Sequence, residues 1–178
     1  MRKVIILVLA LFLAPAIFGQ KTKRPIVAVS SPIVAASTVN GLSVSPANIS
    51  FAATDPDVTP SVAGSSSATV NWSLSGGSNT SIWTLSVQAS GTSFAGCSTV
   101  PVSAVTVTCT ATSSKNPLPS FCATGLPLST TPQVIASGNE HAGNPTYSVV
   151  ASYTLADSWR YLASSSCTLN LTYTLNAP

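Results

Sequence analysis

The chain has 178 residues and a formal net charge of +3, yet only 6% of it is charged while 45% is hydrophobic. From Pro25 onward, only Lys115 and Arg160 oppose Asp55, Asp57, Glu140 and Asp157, so the body lacks the basic face or stripe that a nucleic-acid partner requires. The apolar content and three tryptophans likewise exclude the low-hydropathy, high-charge composition of disordered chains.

At the start, Arg2 and Lys3 precede an unbroken apolar run from Val4 to Leu13, followed by the small residues Ala14, Ala16 and Gly19. A charged start, a short apolar stretch and a small-residue exit predict a secretory signal peptide over residues 1–19, cleaved after Ala16 or Gly19. The run is shorter than the roughly 20 apolar residues of a transmembrane helix, and the mature chain is expected to have no membrane-spanning segment. The expected location is therefore secreted: extracellular, at the cell surface or periplasmic. About 160 residues remain, a size that suits one domain.

Residues 20–44 begin with the basic cluster Lys21, Lys23 and Arg24 and continue as a Val/Ile/Ala/Ser stretch. Pro25 and Pro32 within it, and Pro46 just beyond, interrupt any helical period. Proline fixes φ and lacks a donor, so this segment reads as an extended tail, an edge strand or a linker, with the folded domain expected over 45–178.

From Ile49 the pattern alternates with period two, the mark of half-buried strands. Ile49, Phe51 and Ala53 form a short set that ends at the turn-forming Asp55-Pro56-Asp57. Val70, Trp72 and Leu74 come next, then Gly76-Gly77-Ser78-Asn79, which predicts a hairpin connection to Trp83, Leu85 and Val87. Val105, Val107 and Cys109 follow, then Tyr147 to Leu155, and last Cys167, Leu169, Leu171, Tyr173 and Leu175. Only residues 156–162 could form a helical turn. Five to eight strands without a helix predict an all-β, antiparallel, Ig-like β-sandwich.

Four cysteines in an exported chain predict two disulfides among Cys97, Cys109, Cys122 and Cys167. Three connectivities are possible. The favoured one joins Cys97 to Cys109 across the short excursion through Pro101, and Cys122 to Cys167. Cys109 and Cys167 are expected on inward faces. No Cys-x-x-Cys pair exists and His141 is the single histidine, so no metal site and no cofactor is expected.

Catalysis finds little to work with. A hydrolytic triad needs a histidine beside a nucleophile and an orienting acid, and His141 sits in the loop-like run Gly138 to Asn144. Four acidic residues far apart in sequence offer no evident pair for glycoside hydrolysis. The chain is read as a non-enzyme with no catalytic residue. Among the aromatics, Trp72 and Trp83 alternate in phase with aliphatic neighbours and read as core, whereas Trp159 and Tyr161, flanking Arg160, are the candidate ligand-binding residues.

Trp83-Thr84-Leu85 together with Leu171-Thr172-Tyr173-Thr174-Leu175 and the closing Pro178 resembles the paired motif of bacterial WxL-type cell-surface domains, with Tyr173 where that family carries tryptophan. Gly96-Cys97 through Cys109 and the Asp157-Ser158-Trp159 turn are similar to exported Ig-like proteins of Gram-negative soil bacteria. The resemblance implies a β-rich domain attached non-covalently to the cell envelope. The expected role is a structural or adhesive envelope protein, partnered by copies of itself or other envelope proteins and assembling through its N-terminal tail. The alternative is a module that binds peptidoglycan or another extracellular glycan.

Overall fold

The structure is a computed structural model and describes residues 27–30, 33–35, 39–52, 54–75, 80–112, 118–143, 146–161 and 167–177. The leader expected over 1–19 and the Gly76–Asn79 turn lie outside the described residues. Among the described residues there are fifteen strands: β1 (Val27–Ser30), β2 (Ile33–Ala35), β3 (Val39–Ser45), β4 (Asn48–Phe51), β5 (Ser61–Ala63), β6 (Ala68–Leu74), β7 (Ile82–Ala89), β8 (Ser93–Phe94), β9 (Cys97–Pro101), β10 (Val105–Ala111), β11 (Phe121–Cys122), β12 (Leu126–Pro127), β13 (Gln133–Asn139), β14 (Thr146–Ala156) and β15 (Cys167–Asn176). The described residues contain no α-helix, only a 3-10 turn at Val102–Ala104. The helical turn expected near 156–162 is absent from its described part, because β14 runs on to Ala156 and a turn follows.

Two sheets face each other. One has seven strands in the order β11-β13-β7-β15-β1-β4, with β2 also on β15. The other has six, in the order β12-β10-β14-β6-β3, with β5 also on β14. Pairing is antiparallel except where β1 and β2 run parallel to β15. The all-β expectation with two disulfides is met. Apart from Ala53, which lies outside the described residues, the alternating residues singled out above are buried on the inner faces, from Ile49 and Phe51 through Trp72, Trp83 and Val107 to the whole series Cys167, Leu169, Leu171, Tyr173 and Leu175. The solvent side of β15 carries Thr168, Asn170, Thr172 and Thr174. Hydroxyl and amide side chains thus do the work that charges do on most surfaces.

The hairpin expected between Leu74 and Trp83 is not formed. β6 belongs to the six-stranded sheet and β7 to the seven-stranded one, so Trp72 and Trp83 meet across the core instead of across a ladder. Their rings are 5.0 Å apart at 68°, and Trp72 stacks on Tyr147 at 5.5 Å and 12°, geometries that aromatic pairs favour. The Trp83 indole N–H donates to the Asn139 carbonyl at 3.1 Å. Gly138 pairs with Trp83 in the ladder and must be glycine, since a Cβ there would lie 2.8 Å from the Trp83 ring. Among the described residues, the Trp72 indole N–H is the buried side-chain polar atom without a hydrogen-bond partner.

A second contact between the sheets is polar. Tyr153 on β14 and Tyr173 on β15 hydrogen-bond through their hydroxyls in the core. Burial raises Tyr153 well above the ordinary phenol range, reinforced by the neighbouring Tyr173. Burial also pushes Tyr173 up to about 12, against an opposing effect of the bond from Tyr153.

The disulfide pairing differs from the one favoured above. Cys97 joins Cys167 and Cys109 joins Cys122, with Cα–Cα distances of 5.3 and 5.2 Å. The stretch through Pro101 does not fold back on itself. The 3-10 turn at 102–104 instead carries the chain from the β8–β9 hairpin into the six-stranded sheet, separating Cys97 from Cys109. The hairpin meets the start of β15 through reciprocal backbone bonds between Ala95 and Thr168, of 2.8 and 3.0 Å, which sets Cys97 against Cys167. On the other side, Cys109 N–H donates to the Ala123 carbonyl and Ala123 N–H to the Ile135 carbonyl, both at 2.8 Å. This lacing between β10 and β13 brings Cys122 to Cys109, so the second disulfide links the two sheets. Cys109 and Cys167 are buried, as expected.

Two stability predictions follow from these contacts. With spans of 70 and 13 residues, loop entropy gives about 4 kcal/mol for Cys97–Cys167 and about 3 kcal/mol for Cys109–Cys122. Urea unfolding of the two double-alanine variants should rank them in that order. For the tyrosines, Tyr173→Phe strands the Tyr153 hydroxyl and should cost about 1–3 kcal/mol, whereas Tyr153→Phe with Tyr173→Phe should cost less than either single change. Both folded-state values lie above the ordinary value of about 10. The pair's contribution is therefore complete below pH 10 and is lost as pH rises toward 12. Alkaline unfolding curves should show this fall in the wild type and a shallower one in the double phenylalanine variant.

Candidate functional site

The residues nominated from the sequence lie at one end of the sandwich, where the loop after β4 meets the turn after β14. The Asp55–Asp57 turn forms as expected: Asp57 N–H donates to the Asp55 carboxylate at 3.1 Å, and Val58 and Thr59 N–H donate to the Asp55 carbonyl at 3.0 and 2.7 Å. The turn is tied to 157–161. Thr54 Oγ1 donates to the Asp157 carboxylate at 3.1 Å, Asp157 N–H to the Pro60 carbonyl at 2.8 Å, and the Trp159 indole N–H to the Asp57 carboxylate at 2.9 Å. Trp159 is 46% exposed, beside Val58 at 78%. Tyr161 is partly buried and packs against the core. The two candidate residues therefore differ in kind: Trp159 presents an indole held at its nitrogen, and Tyr161 packs its ring against the core.

No acid–base constellation is assembled among the described residues. No group of three His, Cys, Asp or Glu side chains there could hold a metal ion. Glu140 is buried, with its backbone N–H on the Ser81 carbonyl at 2.8 Å. His141 contributes its backbone N–H to the Tyr147 hydroxyl at 3.1 Å. The Tyr147 hydroxyl is raised, first by burial and further by the nearby Glu140 charge, while the bond from His141 opposes the shift. These groups serve the end of the sandwich. Asp55 and Asp57 are engaged in their own turn, and Asp157 in the neighbouring one.

A cleft of about 220 Å³ opens on β3, β6 and β14, lined by Gly41, Asn71, Trp72, Ser73, Thr146, Tyr147 and Ser148. It sits at a bulge where Gly41 and Leu42 oppose one residue of β6. Gly41 supplies the positive φ of 70° that such a bulge needs. Its lining offers hydroxyls and an amide but no charge, which suits a neutral hydrogen-bonding group and gives no acid or base for chemistry.

The feature with the largest structural consequence lies in the segment read from the sequence as an extended tail, an edge strand or a linker. β1 lies between β15 and β4, pairing with both, and β2 continues along β15. The offset to β15 is the same in both strands, from Val27 opposite Cys167 to Ile33 opposite Tyr173 and Ala35 opposite Leu175. β1 and β2 thus lie along one edge of β15 in the same parallel register, and the boundary drawn at residue 45 falls at the end of β3. Alternation at Val27 and Val29 was the available signal, obscured by the prolines at 25 and 32.

No family model and no curated protein matches this chain.

The pinned indole gives a local prediction. Asp57→Ala should release the Trp159 ring, seen as a red-shifted and more quenchable tryptophan emission. Global stability should change by no more than about 1 kcal/mol, as for an exposed hydrogen bond.

Proposed function

We propose that this chain is an exported, non-catalytic structural or adhesive protein of the bacterial cell envelope that assembles through its N-terminal segment. The observation that carries this reading is that the N-terminal segment supplies two strands, β1 and β2, to the seven-stranded sheet beside β15. A strand that a chain supplies from its own N-terminal segment can also be supplied by a neighbouring copy, which is the route of β-strand addition. Export is supported by the leader-like start and by two disulfides, which persist in oxidising compartments. Among the described residues no helix is long and apolar enough to cross a membrane.

A second reading, a glycan-binding module, draws on the exposed Trp159 indole held by Asp57, since aromatic faces with polar rims suit sugar rings. The two readings separate experimentally. The assembly reading expects purified mature chain (from Gln20) to form multimers in size exclusion with light scattering, growing with concentration and unaffected by Trp159→Ala. The glycan reading expects a monomer whose retention on insoluble peptidoglycan or polysaccharide falls several-fold with Trp159→Ala. A monomer without such retention defeats both.

A further inference from the structure

We infer that the partner in assembly is a second copy of this chain, and that residues 27–35 of one copy occupy the slot between β15 and β4 of the next. This rests on the assembly reading and specifies its site.

The sequence suggested that the tail would add to an outer edge of a neighbouring sheet. The edges of this fold are poorly suited to that. β11 and β12 are two residues long, β12 carries Pro127, β3 is broken by the bulge at Gly41, and the outer side of the four-residue β4 is engaged by Gly64 and Ser65. Short, proline-bearing and bulged edges resist strand addition. The β15 slot differs in every respect. It accepts residues 27–30 and 33–35 in one continuous register, and along 27–30 it offers ladder partners on both sides, Cys167–Asn170 of β15 and Asn48–Phe51 of β4. The opposing positions Cys167, Leu169, Ile49 and Phe51 are buried, and the register sets Val27 and Val29 against them.

The segment is also removable in a way that other strands are not. Once the leader is cut, residues 27–35 are joined to the rest of the domain on one side only, through residues 36–38, which lead from β2 in one sheet to β3 in the other. It can leave and enter a slot without threading a loop. Closed and exchanged forms make identical pairings, so exchange is a low-cost route to association. Because donor and acceptor surfaces lie on the same copy, repeated exchange gives a head-to-tail chain.

The test uses the full mature chain and the register pair Ser30 and Asn170. One preparation carries Ser30→Cys, another Asn170→Cys. The native cysteines are all in disulfides, so a short bis-maleimide reports only the introduced thiols. The two preparations are unfolded and refolded together, with disulfides intact, and then cross-linked. The expected result is an adduct of twice the chain mass containing one copy of each variant, absent when either preparation is refolded alone. A chain with both substitutions should cross-link between copies in the multimer fraction and within one copy in the monomer fraction. Deleting residues 36–38, which removes the span needed to close β2 and β3 in one copy, should raise the multimer fraction. Multimers that never yield the mixed adduct would overturn this inference while leaving assembly standing. A chain that stays monomeric at all concentrations, with only internal cross-links, would overturn both.

Discussion

β15 is the constraint on which the rest of the structure depends. Its inner face is apolar without interruption from Cys167 to Leu175, and both of its edges carry paired strands. β7, Ser90 and Ala95 line one edge, and β1 and β2 the other. Buried backbone donors and acceptors left without partners would each cost about 1–3 kcal/mol, so a strand this deep cannot tolerate a vacant side. Its start is fixed by Cys167 to the β8–β9 hairpin, and Tyr173 ties it to the opposite sheet through Tyr153. Sequence alternation, covalent stapling and an inter-sheet hydrogen bond all meet on this one strand.

The sequence exposes the inner faces well because burial on one side of a sheet imposes period two directly on residue choice. Where two buried residues adjoin, the signal fails. In β13 the register shifts between Val134 and Ala136, and Ile135 and Ala136 are both buried. The strand therefore shows no alternation and reads as a gap between loops. Connectivity is harder still. Trp72 and Trp83 are both inward-facing whether their strands are ladder neighbours or face each other across the core, and nothing in either strand distinguishes the cases. The cysteine pairing follows from that same choice, since it depends on which sheet receives β10 after the turn at 102–104.

The candidate site was legible in proportion to its chemistry. Trp159 stands out as an aromatic beside the only arginine of the domain body, and the structure finds it exposed; the bond from Asp57, a hundred residues away in sequence, could not be foreseen. Tyr161 was indistinguishable from it by composition and turns inward because the turn at 157–161 folds back, with its N–H on the Ser158 carbonyl at 3.1 Å. The slot for residues 27–35 was hidden for a different reason. Parallel pairing between the first and last strands leaves no turn motif, and the prolines that flank β1 mark an edge or linker more often than an interior strand.

Closed and exchanged forms share their contacts, so the balance between them is set by concentration and by order of events. A segment tethered by three residues sees its own slot at an effective concentration of about millimolar or more, which favours the closed monomer at equilibrium in dilute solution. Order works the other way. The segment is made first and β15 last, so its β15 side waits unpaired while nearly the whole domain is synthesised; non-local pairings of this kind form slowly. Where copies are crowded, a strand in waiting meets occupied slots in folded copies and open slots only in copies at the same stage. Exchange would then be fixed at the moment of folding and kept by the depth of β15 in the core, which makes the assembled state a matter of kinetics and the monomer a matter of dilution.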